Sequence, residues 1–151
     1  MHLALPTGNI IPVIGDTHVA QCTILGHPAF RHFGTEIADG AIVENTLRQG
    51  YRRLESRPAF ARGRMTWVQP SAATAEERVE AARRAESKIG QHAYNLFWNN
   101  CEHFASWCAT GIAVSQQVIE GMRKVLGAIS MLAGAFLAWA GLVVVSAAFD
   151  G

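Results

Sequence analysis

His32-Phe33-Gly34-Thr35-Glu36-Ile37-Ala38-Asp39-Gly40-Ala41-Ile42-Val43-Glu44 contains the clearest hairpin in the chain, Phe33 to Val43, with Asp39-Gly40 at its tip. Its register decides what the fold can do. A three-residue loop, Ala38-Asp39-Gly40, with Gly40 left-handed as a bulge, pairs Ile37 with Ala41. Phe33, Thr35, Ile37, Ala41 and Val43 then share an apolar face, while His32, Gly34, Glu36, Ile42, Glu44 and Thr46 share the other. Glu44 falls opposite Gly34 and diagonal to His32, about 7–8 Å between backbones, a gap these two side chains can close. A two-residue turn at Asp39-Gly40 would instead put His32 and Glu44 on opposite faces. A surface hairpin whose polar side faces water is the plainer alternative.

Upstream, Ile10 to Leu25 reads as extended chain with a turn at Gly15-Asp16, and downstream Met65 to Val68 forms a short strand stopped by Pro70. Ser71 to Ile89 predicts an amphipathic helix, opened by the capping pair Thr74 and Glu77 and closed by Gly90. A second helix starts near Cys101 and breaks at Thr110-Gly111; a third begins near Ser115. Strands followed by helices indicate an α+β domain, a small antiparallel sheet packed on helices.

Cys101 follows Asn99 and Asn100, both good N-caps, so its thiol sits in the first turn of a helix. The helix dipole there favours a thiolate and so a nucleophile. The alternative is a buried structural cysteine, the reading retained for Cys22 and Cys108. A metal site from Cys101, His103 and Cys108 fails on geometry, because helical positions two apart point roughly 200° from each other. No metal and no cofactor are expected. A thiol enzyme needs a base, and His32, held by Glu44, is the best placed of six histidines.

The chain has 151 residues and a net charge of +1, one ordinary domain without an overall pull toward nucleic acid. Half of it is apolar and only 17% charged, which excludes a disordered chain. Three cysteines, an odd number, argue against a disulfide scaffold. Arg48, Arg52, Arg53, Arg57, Arg62 and Arg64 cluster against a single acid, Glu55; the cluster is either a solvated loop or a contact for anionic headgroups.

After Lys124 no charge appears until Asp150. As a helix, Val125 to Phe149 would be roughly 37 Å long, enough to span a bilayer core of about 30 Å. Arg123 and Lys124 precede it, the arrangement of a cytoplasmic flank. The opening Met1-His2-Leu3-Ala4-Leu5-Pro6 is no signal peptide. The expectation is a catalytic domain over 1–122 on the cytoplasmic side and a single-pass membrane anchor over 123–151. Ser130, Gly134 and Ala138 form a small-residue face suited to a homo-oligomer.

Asn100-Cys101-Glu102-His103-Phe104, continued by Ala105-Ser106-Trp107-Cys108-Ala109-Thr110-Gly111, resembles the signature of the lecithin:retinol acyltransferase (LRAT) family. Tyr94-Asn95-Leu96-Phe97, Arg84 to Gly90, and His32 to Gly40 with Glu44 resemble that family too. The resemblance covers roughly residues 10–118, is strongest over 84–118, and leaves 46–70 unmatched.

It implies a bacterial-type member of the permuted papain-like (NlpC-type) thiol superfamily, with the base ahead of the nucleophile. It further implies a membrane-anchored acyltransferase or phospholipase A-type hydrolase. Such an enzyme takes an acyl chain from a glycerophospholipid as a cysteine thioester and passes it to an alcohol, an amine or water. By match, Cys101 is the nucleophile and His32 the general base; Glu44, where the family often has a second histidine, orients His32. Asn100, Glu102 and His103 support the site, and the Cys101 N–H is the oxyanion donor. A papain-like amidase or peptidase, or a catalytically silent membrane-binding module, are the other readings.

Overall fold

The computed structural model describes residues 14–37, 40–69 and 74–149, and of 138 and 140–149 the backbone alone. β1 (Thr17–Ile24) and β2 (His27–Glu36) are joined by Leu25 and Gly26, both at positive φ, the two-residue turn that matches strand twist. β3 (Ile42–Thr46) returns against β2, with Gly34 opposite Glu44 and the Ile37 N–H donating to Ala41 O at 2.8 Å. Gly40 sits at φ +73°, as the three-residue loop requires; Ala38 and Asp39 lie outside the described residues.

β4 (Gly50–Leu54), the short helix α1 (Arg57–Ala61) and β5 (Thr66–Gln69) complete a five-stranded antiparallel sheet in the order β4-β3-β2-β1-β5. β5 replaces the expected Met65–Val68 strand almost residue for residue. β4 and α1 have no counterpart in the sequence reading. Tyr51-Arg52-Arg53-Leu54 hides the apolar–polar alternation of a strand because Arg52 faces a buried carboxylate rather than water.

α2 (Ala75–Glu86) carries the Thr74–Glu77 capping box and is shorter than the expected Ser71–Ile89; residues 71–73 lie outside the described residues. α3 (Cys101–Thr110) begins at its Asn100 cap and stops at Gly111. On one side of the sheet, Ile37, Ala41, Val43 and Tyr51 pack with Ala82 and Ala85 of α2 and with Phe104 and Cys108 of α3. Val19 and Phe33 meet Cys101 and Ala105. On the other side, Ala20 and Ile42 pack under Phe60 of α1.

The hairpin is therefore buried on both faces, and the water-facing alternative does not hold: Glu44 is 0% exposed. Gly34 is tightly enclosed on the Phe60 side of the sheet. A Cβ there would come within 2.5 Å of Ile42 Cγ2 and 2.9 Å of Phe60 Cε2.

Residues Met1–Ser115 and Gln116–Gly151 form separate compact units, the second being α4 (Gln116–Phe149). Among the described residues no helix is long and apolar enough to cross a membrane, so the expected C-terminal transmembrane helix is not supported. α4 starts with the charged residues Glu120, Arg123 and Lys124. The Ala138 side chain of the small-residue face lies outside the described residues.

Candidate active site

α3 starts where it does because Asn100, in extended conformation, turns its Oδ1 onto the N–H groups of Glu102 (2.9 Å) and His103 (3.0 Å). The Asn100 carbonyl accepts from Phe104 N–H, which leaves the Cys101 N–H in the first turn for another acceptor. Asn100 Nδ2 donates to Leu96 O, and Asn99 is fixed in turn by Tyr51 OH (2.7 Å) and Asn45 Nδ2 (3.0 Å). Ser115 Oγ donates to the buried Glu102 carboxylate at 2.6 Å. The motif residues Asn100, Glu102 and His103 thus hold the first turn that carries Cys101.

His32 reaches this turn from β2. Its Nε2–H donates to Glu44 Oε2 at 2.7 Å, and Cys101 lies near enough to act on the same ring. The structure therefore brings Cys101, His32 and Glu44 together, although they come from three elements. Burial alone would lower the His32 pKa; Cys101 and Glu44 outweigh it and push the imidazole up to about 9. Burial pulls the Glu44 carboxyl upward, but His32 and Arg52 together hold it below the ordinary carboxylate range. Phe60 stacks on the His32 ring, centroids 5.5 Å apart, fixing its plane.

The arginine cluster finds its role here. Arg52 Nε donates to Glu44 Oε1 at 2.7 Å and Arg62 Nη2 to the same oxygen at 2.5 Å. Arg57 binds Glu36, and Arg64 caps the carbonyls of Phe60 and Ala61 and donates to Cys22 Sγ. These four guanidinium groups face inward partners. Beside the site lies a second buried pair that sequence reasoning missed, His18 with Glu36, set edge-on to the other side of Phe60. Burial lowers the His18 pKa despite Glu36. Its only sequence signal is the β1 alternation that puts His18 and Ala20 on the face of His32, visible once β1 is registered on β2.

Tyr94, whose phenol burial and the nearby Cys101 both raise, also borders the thiol. Cys108 is a core residue beneath Thr35, its thiol pushed by burial to about 12.

A mixed α/β protein with a carboxylate–imidazole–thiol row, sulfur at a helix N-terminus and imidazole on an antiparallel strand, is the class that this fold and site define. Residues 12–114 match the family model for lecithin retinol acyltransferase, and the chain belongs to that family. It is 40% identical over 74 residues to the human lecithin retinol acyltransferase (Homo sapiens), covering 42% of this chain and 32% of that protein. It is 53% identical over 38 residues to the mouse lecithin retinol acyltransferase (Mus musculus), covering 25% of this chain and 16% of that protein. The chain thus spans a third or less of the length of the curated relatives it matches.

Proposed function

We propose that the chain is a cysteine-dependent lipid acyltransferase, or an acyl hydrolase when water is the acceptor, using a glycerophospholipid ester as donor. One observation carries this reading: a buried imidazole bonded to a carboxylate and raised by the cysteine beside it at a helix N-terminus. Family membership supports the acyl and lipid chemistry. With Nε2 committed to Glu44, Nδ1 is the nitrogen left for Cys101. The thiol proton passes to Nδ1, and the Glu44 carboxylate stabilises the imidazolium.

The thiolate attacks the ester carbonyl, forming a C–S bond while the carbonyl electrons move to oxygen, and the Cys101 N–H donates a hydrogen bond to that oxyanion. Collapse breaks the ester C–O bond, and the leaving lysolipid oxygen takes the proton from His32. Neutral His32 next removes a proton from the acceptor, which attacks the thioester carbonyl. The C–S bond breaks, the acyl group leaves on the acceptor, and thiolate and imidazolium are restored.

The test is incubation with defined phospholipids followed by mass spectrometry of products and of the Cys101 peptide. A lysophospholipid product and an acyl adduct on Cys101 are expected, both absent in Cys101→Ala with its fold intact. Full turnover by Cys101→Ala would refute the thioester route.

A further inference from the structure

Three consecutive apolar side chains immediately before the α3 cap, Leu96, Phe97 and Trp98, are exposed at 61%, 53% and 71%. Their exposure is not that of a loose loop. Asn95 and Asn99 exchange both backbone hydrogen bonds across the tip, at 3.0 and 2.9 Å. The N–H groups of Phe97 and Trp98 both donate to Asn95 Oδ1, and Leu96 O accepts from Asn100 Nδ2. The tip therefore keeps apolar side chains outward while the Phe97 and Trp98 N–H groups and the Leu96 carbonyl are satisfied internally, which lowers the cost of entering a low-dielectric medium.

We propose that Leu96-Phe97-Trp98 is the seat by which the domain docks on a phospholipid surface, its rings at the headgroup–acyl boundary and Cys101 held just above. This rests on the phospholipid reading of the Cys101 site and deepens it. Phe and Trp are the side chains that prefer that boundary, one end apolar and, in Trp, an N–H for the wet side. No acidic residue lies between Glu86 and Glu102, while Lys88 and His92 do, so nothing in this segment opposes an anionic or zwitterionic surface.

A protein partner fits less well. Two aromatic side chains at these exposures with one leucine offer roughly 400 Å² by ordinary side-chain areas, about half of what each side of a stable protein interface buries. Lipid insertion has no such threshold, because each side chain contributes separately. The same Asn100 that ties Leu96 also caps α3, so seating the tip sets the depth of the nucleophile three residues on.

The test uses the full chain with Cys101→Ala, so that the vesicles stay chemically unchanged. Emission is compared with that of the protein also carrying Trp98→Phe; the difference is the emission of Trp98. In vesicles of phosphatidylcholine with brominated chains, that emission should fall by about half or more relative to ordinary phosphatidylcholine. In protein with Cys101 intact, Phe97→Ser/Trp98→Ser should lower turnover of vesicle phosphatidylcholine about tenfold or more, and leave monomeric short-chain phosphatidylcholine within about twofold.

Unquenched Trp98, equal losses on both substrates, or a concentration-dependent dimer abolished by the double variant would each overturn the proposal. Absence of turnover on either substrate by the unsubstituted protein would instead defeat the acyl-transfer reading, with the quenching result still deciding the docking surface.

Discussion

Glu44→Gln keeps the volume of a fully buried side chain and removes its charge, so it isolates what the carboxylate does for His32. Glu44 Oε2 accepts from the His32 Nε2–H at 2.7 Å, while Oε1 takes Arg52 and Arg62. A hydrogen bond to a charged group exceeds a neutral one by about 1 kcal/mol, and that difference stabilises the His32 imidazolium that pairs with Cys101. At about 1.36 kcal/mol per tenfold, that difference corresponds to about a fivefold slower reaction of Cys101 at neutral pH.

The assay is the rate of Cys101 alkylation by iodoacetamide from pH 5 to 10, with turnover followed in parallel. Alkylation at pH 7 should slow by that factor. The upper limb of the turnover profile, set by His32 at about 9, should move toward neutrality. Arg52 and Arg62 are 28% and 43% exposed at their side chains and recover water, so the stability loss should stay at about 1–2 kcal/mol. An alkylation rate within about twofold of the unsubstituted protein would refute the imidazolium-stabilising role.

Asn100→Ala removes the acceptor of the Glu102 and His103 N–H groups and should cost about 1–2 kcal/mol in urea unfolding, with slower Cys101 alkylation. Gly34→Ala drives a methyl into Ile42 and Phe60 and should cost about 1–3 kcal/mol, read as a lower urea midpoint at unchanged slope. Burial holds Cys108 near 12, so at pH 8 in the native state alkylation should map to Cys101 well before Cys108; peptide mass spectrometry decides. His32 has a raised folded-state pKa, so its stabilisation is complete below about 6.5 and disappears as pH rises through about 9. Glu44 has a lowered one, and its contribution is present above about 4.5 and lost in acid. Unfolding free energies should fall on both flanks, and His32→Gln should flatten the alkaline one.

The parts of this protein set by local chemistry were legible in its sequence. Gly40 allowed the three-residue turn, and of the two registers open to the hairpin the observed one places Glu44 opposite Gly34 and within reach of His32. Asn100 and Gly111 marked the ends of α3, and Thr74 with Glu77 the start of α2. What escaped depended on tertiary neutralisation of charge. An arginine-rich stretch reads as solvated chain; only when β4 pairs with β3 does Arg52 fall beside Glu44. Phe60, in the short segment Pro58-Ala59-Phe60-Ala61 between arginines, gave no periodicity, yet it closes the second face of the sheet and stacks on the imidazole. For the apolar C-terminal run, the described residues hold no helix long and apolar enough to span a bilayer, and the expected span is left without support.

The order of the elements has a consequence for biosynthesis. β2, β3, β4 and α1 are contiguous, so the imidazole, its carboxylate and the guanidinium groups assemble through neighbouring hairpins. The sulfur leaves the ribosome later, on a helix that must then dock on that finished surface. Until it does, the sulfur has neither an imidazole nor a helix N-terminus beside it, and adventitious oxidants or electrophiles meet no assembled site. Placing the base early and the nucleophile late delays reactivity until folding is complete.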